Sequence, residues 1–132
     1  YTVWIAPWRS PLHCRYTHHV PRSVDMTRMN EAAACLIGQH DFASFGQPTQ
    51  GESTVRVVYD AAWQQSGYLV QFDIEANAFL QRMVRTIVGT LLQIGQGFQA
   101  VEHAAAVLAA RNRALAAPPA PACGLCLVEV KY

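Results

Sequence analysis

The sequence lacks any long hydrophobic run, and it has little charge of either sign. Of its 132 residues 52% are hydrophobic and only 14% are charged, with a net charge of +1. No stretch approaches the roughly 18 uninterrupted apolar residues of a membrane-spanning helix, so we expect no membrane partner. The start has no basic leader, so we expect no secretory signal peptide. Because Tyr1 opens directly into a strand-like pattern, we expect a piece of a longer protein.

The four cysteines are not spaced as a disulfide framework. Cys14 and Cys35 stand alone, and Cys123 and Cys126 form the only pair with metal or redox spacing. A zinc site needs a second pair or suitably spaced histidines, and the five histidines are scattered. The pair also leads into a strand-like run, whereas a thioredoxin-like dithiol opens a helix. We therefore predict no metal and reduced cysteines in the cytoplasm, with a metal-binding pair as the lesser alternative.

Lysine is almost absent, and the basic residues are concentrated near the start. Nine of the ten basic residues are arginines. Within residues 1–30, four arginines face one acid, Asp25, which leaves a net charge of +3 in that segment. Such a patch suits contact with phosphates, but it is also typical of an ordinary arginine-rich surface. Both interpretations stay open at this level.

The length suits one domain, and the pattern contains both strands and helices. Asp25 is predicted to cap a helix that ends at Gly38, and residues 40–45 to form a turn. The other predicted elements are a strand over 1–6, extended chain over 12–20, a loop over 46–52, a hairpin over 53–75, helices over 78–94 and 101–113, a proline-rich connector over 116–122, and a last strand from 127. Long strands with segregated helices indicate an α+β fold, with an antiparallel or mixed sheet and helices packed on one face.

The predicted helix over 78–94 carries two arginines beside its apolar stripe. Arg82 and Arg85 are three residues apart, so we expect their side chains on nearly the same face. The neighbours of Arg85 are apolar, and a guanidinium in a dry site needs a partner because it keeps its proton. The nearest acid, Glu75, precedes the helix, so we expect a partner that is distant in sequence or on another chain. Alternatively, both arginines edge a solvated face. The expected core-facing stripe consists of Phe79, Met83, Ile87, Leu91 and Ile94.

Five ordered segments resemble one known family over essentially the whole chain. Residues 77–89, NAFLQRMVRTIVG, resemble the helix motif of the tRNA pseudouridine synthase A family. The segments 10–16, 36–45, 55–56 and 120–130 resemble the same family in the same order. Five ordered matches are much more specific than any one short motif.

The resemblance implies an isomerase that converts uridine to pseudouridine at positions 38 to 40 in the anticodon arm of tRNA. It implies no cofactor and no metal, a homodimer, and a catalytic aspartate within a Gly-Arg-Thr-Asp block. That block does not occur in this chain, and Asp41 matches a structural turn of the family. We therefore expect the C-terminal half of a pseudouridine synthase, a single domain over residues 1–132 that is inactive alone.

The resemblance also implies roles for individual residues. Arg85 matches the arginine that pairs with the catalytic aspartate. Tyr1 matches the tyrosine that packs against the target base, although an ordinary strand aromatic is the alternative. Leu125 is either an apolar wall of the pocket or a core leucine. The candidate RNA-binding residues are Arg82, Arg56 and Arg15. A different class of function stays open as well, namely a non-catalytic RNA-binding or dimerisation domain.

Overall fold

A five-stranded mixed sheet organises the part of the chain that the structure describes. The computed structural model describes residues 1–8, 16–47 and 53–126. In chain order its elements are β1 (Thr2–Ile5), β2 (His18–Val20), α1 (Met26–Ala34), β3 (Gly38–Asp41), β4 (Val55–Ser66), β5 (Leu69–Ala76), α2 (Met83–Gly95) and α3 (His103–Ala110), followed by short 3₁₀ turns at Arg113–Leu115 and Ala122–Gly124. The strand order is β2-β1-β5-β4-β3. Among these described strands only β1 and β2 pair in parallel, and the other neighbours are antiparallel. The predicted α+β class with a mixed sheet is confirmed.

The two longest strands form the predicted hairpin. In β4 and β5, Trp63 lies opposite Phe72, and their rings stack with centroids 4.8 Å apart. The turn consists of Gly67 and Tyr68, slightly later than the expected Gln65–Gly67 turn. Gly67 has a φ of 60°, a conformation that a side chain disfavours. In the first half of β4, a register shift between Val58 and Asp60 interrupts the regular pairing with β5, as a β-bulge does.

One face of the sheet is buried under the helices, and the other is largely open. Along β5, Val70 and Phe72 are buried, whereas the alternating Gln71 and Glu75 are exposed. Helix α1 packs against β4, α2 and α3 and covers the buried face. This period of two in burial is what the strand pattern of the sequence predicts. Within the described residues no helix is long and apolar enough to cross a membrane.

Helix α1 begins as predicted but ends early. The Asp25 carboxylate accepts a hydrogen bond from the Arg28 amide at 3.2 Å, so Asp25 is the predicted cap. The helix ends at Ala34, and Gly38 instead opens strand β3 with a φ of 112°. The expected turn over 40–45 therefore overlaps an edge strand at its start. Pairing with β4 explains this difference, because the short polar sequence of β3 shows no strand alternation of its own.

Helix α2 starts later than predicted, and this changes the relation between its two arginines. It begins at Met83, and Arg82 precedes it in the left-handed conformation with a φ of 64°. Gln81 pairs with Gln47 through two backbone hydrogen bonds of 2.8 and 3.3 Å. This pairing holds the chain outside the helix, so the expected common helix face for Arg82 and Arg85 is wrong. The predicted stripe is confirmed for its helical members, whereas Phe79 lies before the helix and is only partly buried.

The C-terminal part follows the predicted order with shorter elements. The expected helix over 101–113 is α3 at His103–Ala110, and Arg111 ends it in a left-handed conformation. The connector of residues 116–121 then runs back along α2, where Ala117 and Ala120 are buried. The expected last strand from 127 lies outside the described residues.

A candidate catalytic face around Arg85

Arg85 lies in the first turn of α2 and is bound to the connector. Its Nε donates a hydrogen bond to the Ala120 carbonyl oxygen at 2.8 Å. The Ala120 amide in turn donates to the Arg85 carbonyl oxygen at 2.9 Å. Among the described residues Arg85 has no carboxylate partner, so its charge is not neutralised within this part of the chain. The expected partner at long sequence separation exists, but it is a backbone carbonyl. The donors on its two terminal nitrogens have no hydrogen-bond partner within residues 1–8, 16–47 and 53–126.

Tyr1 reaches the same connector one residue later. Its backbone pairs with Phe72 through hydrogen bonds of 2.8 and 2.7 Å, and its side chain is 7% exposed. Its hydroxyl donates to the Pro121 carbonyl oxygen. Arg85 and Tyr1 thus bind consecutive residues of the connector, Ala120 and Pro121. The structure brings these two predicted site residues together.

Burial and charge both act on the Tyr1 hydroxyl. Burial raises its pKa well above the ordinary value for tyrosine, and the negative charge available to the Cys123 sulfur raises the pKa further. The Arg85 guanidinium opposes this and lowers the pKa. At neutral pH the hydroxyl is therefore protonated, which suits its role as a donor to Pro121. The influence of Arg85 on this pKa agrees with their positions on the connector.

Two glycines permit the close approach of the connector. A Cβ at Gly89 would collide with the Pro118 carbonyl oxygen. A Cβ at Gly124 would lie 2.7 Å from both the Tyr1 ring and the Thr2 carbonyl oxygen. Neither neighbour can move away easily, since backbone atoms are involved in both contacts. The glycine of the helix motif and the glycine of the last motif are thus required by packing.

Thr90 is a residue of this region that sequence reasoning missed. It is buried in α2, where its hydroxyl donates to the Thr86 carbonyl oxygen at 3.0 Å and accepts from the Ala117 amide at 3.3 Å. It therefore binds the start of the connector, as Arg85 binds the middle. A hydroxyl residue on the apolar side of a helix was the available signal, because a buried polar group needs partners.

Leu125 follows the second 3₁₀ turn and is 43% exposed. The core-leucine alternative is therefore wrong, and its role as an apolar pocket wall stays a prediction. The neighbouring cysteines, Cys123 and Cys126, are exposed and free of disulfides. Cys123 donates a weak hydrogen bond to the Thr17 carbonyl oxygen at 3.4 Å. Across the ranges 1–8, 16–47 and 53–126, no group of three His, Cys, Asp or Glu residues could hold a metal ion.

The candidate RNA-binding arginines do not form one cluster in the described part of the chain. Arg82 is exposed at the start of α2 and lines a pocket of about 560 Å³. Arg56 folds onto its own strand, where Nη1 donates to the Ser53 and Val55 carbonyl oxygens at 3.1 and 2.7 Å. Arg15 lies outside the described residues. Arg28, from the predicted basic patch, binds the end of α2 instead of projecting freely.

Comparison with known sequences assigns the chain to a family. The sequence model of a family described as tRNA pseudouridine synthase matches residues 32–132. This chain belongs to the tRNA pseudouridine synthase family. The resemblance seen in its five sequence segments is thereby confirmed.

Similar curated proteins carry the same description and are about twice as long. A tRNA pseudouridine synthase A from Syntrophotalea carbinolica is 40% identical over 133 residues, covering 100% of this chain and 53% of that protein. One from Roseiflexus castenholzii is 46% identical over 129 residues, covering 93% of this chain and 47% of that protein. One from Geobacillus kaustophilus is 42% identical, covering 100% of this chain and 52% of that protein. The chain thus spans about half the length of these curated relatives.

Proposed function

We propose that this chain is the C-terminal half of a tRNA pseudouridine synthase, which isomerises uridine to pseudouridine in the anticodon arm at positions 38 to 40. The relatives at 40–46% identity are described as tRNA pseudouridine synthase A, and the chain spans about half of each. The observation that carries the proposal in structural terms is Arg85. It is anchored on the connector by Nε, and it has no carboxylate partner among the described residues.

Arg85 would pair with an aspartate from the half that is not part of this chain. A guanidinium beside a carboxylate keeps that carboxylate ionised and orients it, as a nucleophile requires. The reciprocal hydrogen bonds with Ala120 fix the backbone and one edge of the guanidinium. The two terminal nitrogens of the guanidinium then point in a defined direction, and their paired N–H groups suit a bidentate contact with a carboxylate.

Tyr1 and Leu125 are the proposed contacts to the target uridine. The base must leave its stack before the bond between base and ribose becomes accessible, so it needs an apolar or aromatic surface in the enzyme. Leu125 is well exposed close to the second 3₁₀ turn, which packs on Tyr1 through Gly124. Arg82, Arg56 and Arg15 are proposed to contact the RNA backbone. We further infer a cytoplasmic homodimer that needs no cofactor, and light scattering of the full-length protein would test the dimer.

The test is the activity of the full-length enzyme that contains this chain, with Arg85 replaced. We expect Arg85→Ala to reduce pseudouridine formation in a tRNA transcript by at least about 10²-fold, because the catalytic carboxylate loses its oriented partner. Folding should persist, since one lost hydrogen bond to Ala120 costs only about 1 kcal/mol. The exposed Arg111→Ala is the matched control and should keep its rate.

The outcomes separate the two classes of function. Normal turnover by a folded Arg85→Ala enzyme would remove Arg85 from the chemistry. A full reading frame without the Gly-Arg-Thr-Asp block, together with tRNA binding but no turnover, would favour a non-catalytic RNA-binding or dimerisation domain. The 132-residue chain alone is expected to show no turnover, because it does not contain the nucleophile block.

A further inference from the structure

A basic pocket lies beside the candidate catalytic face and shares the connector with it. It has a volume of about 560 Å³ and is formed by the start of α2, the loop after Phe42, the first 3₁₀ turn and the connector. Its polar lining residues include Gln47, Gln81, Arg82, Thr86 and Arg113. The proposed function gives this pocket no role beyond a general contact of Arg82 with RNA.

The charge of the pocket is of one sign. Arg82 and Arg113 both line it, and among the described residues of its lining none is acidic. Two guanidinium groups that face one cavity repel each other, and an anion between them would remove that cost. Helix α2 also begins there without a side-chain cap and with no acidic residue in its first turn, so its dipole adds to the positive potential. The lining therefore suits an anion.

Arg113 is held in place without being neutralised. When the Gln47 amide is assigned with its oxygen facing Arg113, the assignment that satisfies both groups, that oxygen accepts hydrogen bonds from Nη1 and Nη2 at 2.5 and 2.7 Å. The backbone amide of the preceding residue, Asn112, donates a hydrogen bond to the Ser44 hydroxyl at 2.8 Å, and Ser44 is completely buried. The contacts that position the Arg113 guanidinium are thus a neutral amide and a backbone hydrogen bond of the preceding residue, and neither of them neutralises its positive charge. Such preorganisation favours a fixed anionic ligand over transient counterions.

The position of the pocket relates it to RNA. Thr86 in its wall directly follows Arg85, and Pro119 directly precedes Ala120, the residue that binds Arg85. The pocket therefore adjoins Arg85 along the connector, which is the ground for expecting an RNA bound at Arg85 to reach it. Apart from the buried Phe45, the described residues of the lining include no aromatic ring on which a base could stack, which favours recognition of phosphate.

We propose that Arg113 and Arg82 together bind a backbone phosphate of the RNA substrate in this pocket. The proposal rests on the proposed function, since it takes tRNA as the ligand. Arg113 contributes to affinity and register, and it does not touch the reacting atoms. Its contact is independent of sequence, as phosphate contacts are.

The test measures binding of fluorescently labelled tRNA to the full-length enzyme at several salt concentrations. We expect Arg113→Gln and Arg82→Gln each to weaken binding, and the double variant to reduce the slope of log K against log salt concentration by about 0.7–0.9, the value for one phosphate contact. Arg113→Lys should keep the slope because it keeps the charge. Arg111→Gln, an exposed neighbour outside the pocket, should match the wild type in affinity and slope.

Each other outcome has a defined meaning. If Arg113→Gln binds tRNA like Arg111→Gln, the pocket proposal is overturned while the proposed function stands. If Arg113→Lys loses as much as Arg113→Gln, the residue acts through its packing on Gln47, and the phosphate contact is overturned. If the wild type does not bind tRNA, both proposals fall. Inorganic phosphate is the final probe: thermal stabilisation by phosphate that Arg113→Gln abolishes, with unchanged tRNA affinity, would assign the pocket to a free anion instead.

Discussion

Three arginines of this chain illustrate how the same side chain serves different purposes at the residue scale. Arg56 binds carbonyl oxygens of its own strand region, and Arg28 binds carbonyl oxygens at the end of another helix. Arg85 binds one carbonyl with Nε and has further donors for an external group. Among the described residues, Arg28 holds two backbone carbonyl oxygens through two guanidinium nitrogens, whereas Arg85 holds one, and this difference separates the structural Arg28 from the candidate catalytic Arg85.

Arg28 is predicted to be a structural residue of the α1–α2 contact. Its Nε donates to the Ile94 carbonyl oxygen at 3.1 Å, and Nη2 donates to that of Gln99 at 2.7 Å. A cation at a helix C-terminus also interacts favourably with the helix dipole. We expect Arg28→Ala to lower the free energy of unfolding by about 1–3 kcal/mol. Urea denaturation measures this, with the exposed Arg22→Ala as control. An equal effect of the two substitutions would contradict the assignment.

The connector is the decisive feature at the scale of elements. Its sequence is rich in alanine and proline and shows no periodicity, so it reads as a spacer. In the structure it is bound to α2 at Thr90 and Arg85, and Tyr1 binds its end. A proline-rich segment is well suited to this position because its backbone loses little entropy on ordering. The connector thus carries the geometry of the candidate site.

Gly89 is predicted to be required for the docking of the connector. Alanine normally stabilises a helix relative to glycine by about 1 kcal/mol, so a free helix position would gain from Gly89→Ala. Here the added Cβ meets the Pro118 carbonyl oxygen, and we expect a net loss of about 1–3 kcal/mol in the free energy of unfolding. Gly95→Ala is the matched comparison in the same helix, since the nearest atoms to its Cβ belong to side chains, Met29 at 2.6 Å and Val24 at 3.3 Å, and not to backbone. Urea denaturation should show the greater loss for Gly89→Ala, and the reverse order would refute a rigid connector.

At the scale of the whole molecule, a single core joins the sheet to the helices. The hairpin of β4 and β5 contributes Trp63 and Phe72, α1 contributes Met29, and α2 contributes its stripe to the same buried cluster. The largest buried side chains belong to this cluster under the helices, so stability is expected to depend on the helical side of the sheet. Arg85 and the connector lie at the margin of this core, where a rigid base supports them.

Trp63 is predicted to be a major contributor to global stability. It is 3% exposed and stacks on Phe72, whereas Trp8 is 53% exposed and contacts Tyr68 at the edge of the sheet. We expect Trp63→Leu to reduce the free energy of unfolding by about 2–4 kcal/mol. Trp8→Leu should cost at most about 1 kcal/mol, because it loses mainly one exposed ring contact. Chemical denaturation followed by far-UV circular dichroism compares the two variants. Similar losses in the free energy of unfolding would contradict the assignment of Trp63 to the core.

Local pattern determined much of the fold from the amino-acid sequence alone. The alternation in 53–75 predicted the hairpin, the spacing of Met83, Ile87, Leu91 and Ile94 predicted a helix face, and Asp25 predicted a cap. These features depend on neighbours within one turn or one strand pair, so the sequence contains their causes. The ordered motifs likewise pointed to the family, and Arg85 stood out because a permanent charge lay among apolar residues.

Only the tertiary structure decided what depends on distant partners. Pairing with Gln47 keeps residues up to Arg82 out of α2, pairing with β4 turns residues 38–41 into a strand, and the carbonyl of Ala120 binds Arg85. Each outcome follows from a hydrogen bond between segments well separated along the chain. Local propensity cannot predict such bonds, because their free energy appears only once the core has brought the segments together.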